Sequence, residues 1–467
     1  MAPPRRPRGP FAQQGKPLSK WAAHKKLSFG NELQTRPSKP WTVVRKLGEE
    51  NRGGLNGGVY IVKDRKGTPH IEKRATQQFV KDGTVLQEIT ILRYLSEPSH
   101  EHITRMVDHF VDRKMCKASI YLELCDVGGL EVLIDERVTN GEFFNEIDVW
   151  EWFIQLFSAL TYIHYGPDPK ARFVNTKPED WQDAWDMVFH RDIKVENILV
   201  HKATPKGMTT AYTLKLADFG CAVARRHIWV DRFKEHDRAS FATVGWQPPE
   251  APQFVGRSDV WQLAAVMGCV CNVMNMPFFD HARPAPGYSN TLNNAIVESM
   301  KKDFKKRPKS NEVLDHVRGK YNMMLPQLEK NALPVPARID EAKRMDLIKR
   351  GHKELQAQLR QEQEQQGRQA SAPPAFDPHA QGNGRFGGAG NVGFGGGGHG
   401  GPGGFPQWSR AIRARRHNNA RANMHLYGAP IPNGWESDDS LNGGGSRWYP
   451  STGYGRSPYM APYGNPW

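Results

Sequence analysis

The chain has 467 residues and a formal net charge of +15, and hydrophobic residues make up 38% of it. This apolar share is low for a chain that folds along its whole length, so part of it is expected to be disordered. Five cysteines, none in a CxxC pair, argue against a disulfide framework and against a structural zinc site. The longest apolar-leaning run, 261–274, is too short to cross a bilayer, and the N-terminus lacks the apolar segment of a secretory signal. We therefore expect a soluble protein of the cytoplasm or nucleus, without a membrane partner.

The positive charge is concentrated at the two ends of the chain. Residues 1–40 carry a net charge of +8 and residues 366–467 carry +5, which leaves +2 for the centre. The N-terminal arm is rich in proline and the C-terminal tail in glycine, and neither shows a helix or strand period, which predicts disorder in both. Basic segments hold nucleic acids and other polyanions by counterion release, but a solvated arm without a ligand has the same composition.

Regular structure is predicted from Trp41 onward. Two runs rich in β-branched residues and separated by glycines, TVVRKLG and GGVYIVKD, predict a pair of hairpin strands. Periodicity then predicts, in chain order, a helix over Lys81–Leu95, strands over Met106–Val111 and Ser119–Leu124, and an amphipathic helix over Ile147–His164. Further strands follow residue 200, and mostly helices continue to about residue 325. A strand-rich first part and a helix-rich second part predict an α+β fold of two lobes.

The last third of the chain changes character. Residues 338–366 contain strong helix formers and few apolar positions, which predicts one polar helix, either docked on the surface or free. The sequence from residue 367 on combines glycine, arginine and aromatic residues and is predicted to be a disordered tail.

Two motifs carry the chemistry. The segment FHRDIKVENILV places Asp192, Lys194 and Asn197 at fixed offsets, and LADFG follows with Asp218. Two acids and an amide beside apolar strands suit a base for a hydroxyl group together with oxygen ligands for Mg²⁺. The chain here resembles the eukaryotic protein kinases of the serine/threonine type, and more loosely the NIMA-related kinases of fungi.

The resemblance implies a bilobal kinase fold with a small β-rich N-lobe and a larger helical C-lobe. It implies ATP and Mg²⁺ as cofactors and protein substrates with Ser or Thr. Asp192 would be the catalytic base, Lys194 would neutralise the γ-phosphate, and Asn197 and Asp218 would hold the metal. The oligomeric state is not predicted.

The resemblance also implies a nucleotide site around Lys73, which would contact the phosphates and pair with Glu88. The other nucleotide-contacting residues that it implies are Gly48, Gly54, Gly57, Val59, Ile71, Leu122, Glu123, Cys125 and Leu199. Two departures from the family pattern stand out. The glycine-rich loop between Gly48 and Gly54 is four residues longer than usual, and Ile71 replaces a small residue above the adenine.

Further family positions are structural in role. ATVGWQPPEAP supplies Thr243, which would meet the catalytic base, and Glu250, which would pair with Arg307, while Asp259 would hold the catalytic loop. Ser240 is the expected phosphosite of the activation segment. An insert between His164 and Phe189 carries Trp181 and Trp185, which either pack on the lower lobe or form a partner surface.

The domain prediction has four parts. They are a disordered basic arm at 1–40, a kinase domain at about 41–325 with its N-lobe at 41–124 and its C-lobe at 125–325, a helical extension at 326–366, and a disordered tail at 367–467. Two other functions are weighed: a pseudokinase scaffold, because of the long glycine loop and Ile71, and RNA binding through the tail. The tail lacks RGG tripeptides, so RNA binding would be accessory.

Overall fold

A computed structural model describes residues 34–47, 57–81, 83–167, 185–225, 243–251, 254–330 and 339–371. The N-terminal lobe is a five-stranded antiparallel sheet in the order β1-β2-β3-β5-β4. Its strands are β1 (Thr42–Leu47), β2 (Gly58–Lys63), β3 (Pro69–Arg74), β4 (Met106–Asp112) and β5 (Lys117–Glu123). The predicted hairpin of TVVRKLG and GGVYIVKD is present as β1 and β2, which pair antiparallel.

Two helices cross one face of this sheet, α1 (Gln77–Lys81) and α2 (Thr84–Leu95). The predicted helix over Lys81–Leu95 therefore starts three residues late, because Gly83 has a φ of +80° and interrupts the helical backbone. The buried side of α2 includes Ile89, Leu92 and Leu95, together with the acidic Glu88. A buried carboxylate on an apolar helix face needs a partner, which identifies Glu88 as a functional candidate.

The C-terminal lobe is helical. Its helices are α3 (Leu130–Asn140), α4 (Glu146–Tyr165), α5 (Gly256–Asn272), α6 (Asn290–Ser299) and α7 (Ser310–Lys330), followed by α8 (Glu341–Ser371). Helix α4 corresponds to the predicted helix over Ile147–His164. It begins at a side-chain cap, in which the Asn145 side-chain oxygen Oδ1 accepts from the Ile147 backbone N–H at 3.0 Å. Burial all around α4 and α5 makes them the centre of the lobe.

Short strands connect the lobes beneath the main sheet. Strands β6 (Gly128–Gly129), β8 (Ile198–His201) and β9 (Thr213–Leu216) form one sheet, and β7 (Val188–Phe189) pairs with β10 (Val223–Ala224). The predicted strands after residue 200 correspond to β9 and β10. The loop between β7 and β8 carries Asp192, Lys194 and Asn197, and the segment after β9 carries Asp218, so this region positions the site.

Helix α8 is not free. Its residues with reduced exposure are Arg344, Leu347, Ile348, Gly351, His352, Leu355 and Leu359. This spacing places them on one face, and Leu355 is only 8% exposed. The prediction of one polar helix is thus met by a helix that docks on the C-terminal lobe. The predicted domain end at residue 325 falls inside α7, which continues to Lys330. Among the described residues, no helix is both long and apolar enough to cross a membrane.

The predicted disordered arm at 1–40 is too long at its C-terminal end, because residues 34–40 are held against the sheet by Asp108. The Asp108 carboxylate accepts hydrogen bonds from the Gln34 amide at 2.7 Å, the Ser38 backbone N–H at 3.2 Å and the Trp41 indole at 2.9 Å. Burial alone would raise the pKa of Asp108, but the hydrogen bonds from Trp41 and Ser38 lower it. Residues 1–33 lie outside the described residues. The disordered tail is predicted from residue 367, but α8 continues to Ser371, and the tail from residue 372 lies outside the described residues.

Replacing Trp41 should destabilise the N-terminal lobe. Its ring is stacked on Tyr121 at 4.6 Å with 9° between the planes, and its N–H bonds Asp108. We expect Trp41→Ala to lower the free energy of unfolding by about 2 kcal/mol, since both the stacking and the hydrogen bond are lost. Trp41→Phe keeps the stacking and should cost about half as much. Urea unfolding measures both variants, and equal costs would contradict a stabilising role for the indole hydrogen bond.

Candidate active site

A lysine and two carboxylates meet between the lobes. Lys73 Nζ lies 2.8 Å from a Glu88 carboxylate oxygen and 2.8 Å from an Asp218 carboxylate oxygen. Burial alone would lower the pKa of Lys73, but the charges of Asp218 and Glu88 outweigh it and raise the pKa above its ordinary value. Lys73 is therefore charged at every physiological pH. The predicted pair of Lys73 and Glu88 is formed, and the additional contact with Asp218 links β3 and α2 to the segment after β9.

The predicted adenine-contacting residues line the same face of the sheet. In the strand register Val59 is opposite Lys73, and Ile71 is opposite Leu122. Residues directly opposite, or two apart along a strand, share one face of the sheet. Val59, Ile71 and Leu122 therefore surround Lys73 with apolar side chains. Gly57 lies just before β2. A Cβ on Gly57 would lie 3.0 Å from the Ala75 carbonyl oxygen, so this close approach favours glycine.

The segment between the lobes contains Glu123 and Cys125. The Glu123 side chain turns to the surface, where it bonds the Arg105 backbone N–H at 2.8 Å and Lys215 at 3.0 Å. Cys125 is buried, and burial raises the pKa of its thiol to about 12, so the thiol stays protonated. Leu199 lies on β8 beside Gly129, at the opposite side of the cleft from the main sheet. The Glu123 carboxylate is engaged by Lys215 and Arg105, and the Cys125 thiol is neutral, which agrees with an expected backbone role for Glu123 and Cys125.

Asp192 is surrounded by hydrogen-bond donors. One carboxylate oxygen accepts from the Thr243 hydroxyl at 2.7 Å and from the Thr243 backbone N–H at 2.9 Å. The other oxygen lies 3.2 Å from the Asn197 amide nitrogen and 3.8 Å from Lys194 Nζ. Lys194 also donates to the Thr243 hydroxyl at 2.9 Å. The structure thus brings Asp192, Lys194 and Asn197 together, and it places Thr243 against Asp192 as expected.

The residues predicted to hold Mg²⁺ fit that role. Asn197 donates through its amide nitrogen to the Asp192 backbone carbonyl at 2.7 Å, so its amide oxygen faces away from Asp192. The Asp218 side chain is 41% exposed toward the cleft, and Lys73 lowers its pKa although desolvation alone would raise it. A permanently ionised carboxylate and an amide oxygen are hard ligands of the kind that Mg²⁺ prefers, with phosphate oxygens completing its shell.

The backbone is strained at one residue beside Asp192 and at Asp218 itself. Asp218 has a φ of +58° and Arg191 has a φ of +70°, which non-glycine residues rarely adopt. Phe219 is fully buried against His190, with ring centroids 4.8 Å apart. This anchor turns the Asp218 side chain toward Lys73. Strain of this kind persists only where the surroundings hold it in place.

Asp259 holds the strained catalytic loop. Its two carboxylate oxygens accept from the backbone N–H groups of His190 at 3.0 Å and Arg191 at 2.9 Å. His164 bridges Asp259 at 3.1 Å and the Ser310 hydroxyl at 2.9 Å, which connects α4, α5 and α7. Asp259 was expected from the sequence, but His164 was missed. The only signal was a polar residue at the end of an apolar stripe.

Glu250 and Arg307 form a buried ion pair, as the sequence predicts. Two guanidinium nitrogens of Arg307 bind the two Glu250 oxygens at 2.7 and 3.0 Å, and both side chains are at most 5% exposed. Arg307 also donates to the backbone carbonyls of Arg257 and Lys301 at 2.7 and 2.8 Å. The pair fixes the segment after Thr243 to the C-terminal lobe.

Trp185 packs on the protein rather than into solvent. Its ring lies 4.3 Å from the Tyr94 ring and 5.3 Å from the Tyr162 ring, and its N–H donates to the Ile163 carbonyl at 3.1 Å. The packing interpretation of the insert therefore holds at Trp185. Several other predicted positions lie outside the described residues. They are Gly48, Gly54, Trp181 and Ser240.

Comparison with known proteins agrees with the geometry of this site. A family model described as the protein kinase domain matches residues 41–349. The G2-specific protein kinase nimA of Emericella nidulans is 27% identical over 300 residues, which cover 57% of this chain and 39% of nimA. The human serine/threonine-protein kinase Nek5 is 24% identical over 294 residues, covering 59% of this chain and 36% of Nek5.

A myosin is also among the relatives. Mouse Myosin-IIIb is 24% identical over 336 residues, covering 65% of this chain and 23% of the myosin. The chain thus spans less than half the length of each of these three relatives. The family model covers the two lobes and the Lys73, Asp192 and Asp218 site between them, and it also includes the first turns of α8. The chain belongs to the protein kinase family.

Proposed function

We propose that this protein is a serine/threonine kinase that transfers the γ-phosphate of ATP to Ser and Thr hydroxyls of protein substrates. The observation that carries the proposal is the contact between Asp192 and a hydroxyl. The Thr243 Oγ1 atom lies 2.7 Å from an Asp192 oxygen, which is the distance that a base needs to accept a proton. The Nek and NIMA relatives support the choice of Ser and Thr.

Each residue of the site has a separate role in the proposed transfer. Lys73, fixed by Glu88, would bind phosphate oxygens of the nucleotide, and Asp218 with Asn197 would hold Mg²⁺, which neutralises charge on the phosphates. Asp192 orients the acceptor hydroxyl and accepts its proton. Lys194 lies 3.8 Å from Asp192 and can neutralise charge on the transferred group. Because little covalent chemistry falls to the protein, this positioning and charge compensation would supply most of the rate.

The pseudokinase alternative predicts ATP binding without transfer. Against it stands the assembled site, in which Lys73, Glu88 and Asp218 are joined by contacts of 2.8 Å. The RNA-binding alternative concerns tail residues outside the described part of the chain, and it stays a proposal for an accessory role. A location in the cytoplasm or nucleus also stays a proposal, supported by five cysteines that are all free thiols.

The test is a transfer assay with radiolabelled ATP, casein as acceptor, and Mg²⁺ or EDTA. We expect Mg²⁺-dependent labelling of Ser and Thr, and a loss of at least about 100-fold in Lys73→Met, because the phosphates lose their buried cation. Lys63→Met is the matched control, since Lys63 is an exposed lysine on the neighbouring strand. Binding of ATP by the unaltered protein without any transfer would favour the pseudokinase.

A further inference from the structure

The docked helix α8 follows the surface from α3 toward the active site. Near its start the Ile339 backbone N–H bonds the Gly141 carbonyl at 3.4 Å, just beyond the end of α3. One turn into the helix, Arg344 donates to the Val273 carbonyl at 3.2 Å, at the end of α5. Further on, the His352 ring lies 4.9 Å from the Phe278 ring. The helix therefore spans α3 and the loop that follows α5.

The contact made by Leu355 brings α8 to the segment beside the catalytic base. Gly245 has a φ of +88°, and a Cβ built on it would lie 2.4 Å from the Met276 methyl and 3.5 Å from a Leu355 methyl. Gly245 is two residues after Thr243, whose hydroxyl contacts Asp192 at 2.7 Å. Leu355 is thus separated from the catalytic base by one short stretch of backbone.

The other end of the contact surface is acidic. Asn275 donates to the Asp135 carboxylate at 2.9 Å, and the charge of Arg344 also acts on Asp135, so a cation from α8 lies near this side of α3.

A protein substrate must extend on both sides of the hydroxyl that it offers to Asp192. Extended chain covers about 3.3 Å per residue, so four or five residues reach well beyond Thr243 in either direction. The surface beside Thr243 runs over Gly245 toward Met276, and this is the surface that α8 contacts. A protein chain that offers its hydroxyl to Asp192 and continues over Gly245 therefore meets α8.

We infer that α8 is an autoinhibitory segment, which in its docked position excludes protein substrates from the surface beside Gly245. The inference rests on the proposed kinase function. Few apolar residues hold the helix, with Leu355 the only buried one among its described side chains. We expect a helix held by so few buried side chains to exchange between docked and displaced positions. Protein substrates are then phosphorylated only by the population in which α8 is displaced. α8 then sets how much of the enzyme accepts a protein.

A disulfide between Phe278→Cys and Gly351→Cys tests this directly. A Cβ at Gly351 would lie 2.8 Å from the Phe278 Cβ, so the two backbones must separate by about 1 Å to reach the roughly 3.8 Å that a disulfide needs. Removal of the Phe278 ring relieves its overlap with the new side chain and permits this shift. In the full chain we expect the oxidised variant to phosphorylate casein at least ten-fold more slowly than the same protein reduced with dithiothreitol. Binding of ATP, followed by a fluorescent analogue, should be equal in both forms. Each single cysteine variant controls for the native thiols.

The opposite change is Leu355→Asp, which places a charge against Met276 and displaces the helix. We expect kcat/KM for casein to rise at least three-fold, while KM for ATP stays unchanged. Lys353→Asp is the matched control on the exposed face of α8 and should leave both constants as they are.

Equal casein phosphorylation by the oxidised and reduced forms of the Phe278→Cys, Gly351→Cys variant would overturn the autoinhibitory role and leave the kinase function standing. A lower rate for Leu355→Asp together with a lower Tm would also overturn it, since α8 would then only stabilise the lobe. Absence of transfer in every form, including the unaltered protein, would instead refute the proposed function and the inference with it.

Discussion

Asp192→Asn is expected to lower kcat by about 10²- to 10⁴-fold, which is the contribution of a positioned base to proton transfer. The amide has the shape of the carboxylate, so the hydrogen bond from the Thr243 hydroxyl at 2.7 Å keeps an acceptor. What is lost is the negative charge that attracts the proton and balances Lys194. The fold should therefore survive, with Tm within a few degrees of the unaltered protein.

The measurement for Asp192→Asn combines steady-state transfer to casein with a thermal scan in the presence of MgATP. ATP should still raise Tm, because Lys73, Asn197 and Asp218 are untouched. Asp126→Asn is the control, since Asp126 is an exposed acid that bonds His201 at 2.9 Å and lies away from the acceptor. If Asp192→Asn kept more than a tenth of the rate, Asp192 would not be the base.

Arg307→Ala is expected to cost about 3–5 kcal/mol of unfolding free energy, because it leaves the buried Glu250 carboxylate without its cation. Glu250 is 5% exposed and keeps only the Ser258 hydroxyl at 2.6 Å among its described partners. Two backbone carbonyls, of Arg257 and Lys301, lose their donors as well. The loss of stability concerns the C-terminal lobe, where these groups lie.

Urea unfolding of the full chain, followed by tryptophan fluorescence, measures this cost. Arg350→Ala is the matched control: its partner Asp346 is one turn away on α8, and both side chains are more than 60% exposed. An exposed pair of this type contributes about 0.3–0.5 kcal/mol. Similar costs for the two variants would contradict the distinction between the buried and the exposed pair. Arg307→Lys should lie between them, because lysine keeps the charge but not the two-point contact.

The sequence is sufficient to place the candidate site residues because their order along the chain is characteristic of the family. Lys73, Glu88, Asp192 and Asp218 were predicted from motifs, and contacts of 2.8 Å join the first two with the last. The lobes followed from periodicity, since strands and helices differ in the spacing of apolar residues. The prediction starts helix α2 three residues too early, because a glycine within an apolar helical period does not by itself mark a helix boundary.

The long-range contacts could not be predicted in the same way. Asp108 binds Gln34 across 74 residues, and Leu355 meets Gly245 across more than a hundred. Each of these contacts depends on one or two side chains, and a single residue has no period that would indicate its partner. Helix α8 also has too few apolar positions for its docking face to stand out. Only the folded chain shows that α8 lies against the segment that contains Thr243 and Gly245.

The packing of Trp185 has a practical consequence for engineering the chain. A Cβ on Gly166 would lie 2.6 Å from the indole, so Gly166 and Trp185 meet at the end of α4. Doubling the number of residues between two fixed ends of a chain adds only about 0.6 kcal/mol of closure entropy. A reporter peptide or an affinity tag introduced between 168 and 184 should therefore leave Lys73–Glu88 pairing and phosphate transfer intact. The protein then offers an internal attachment point, independent of both of its basic ends.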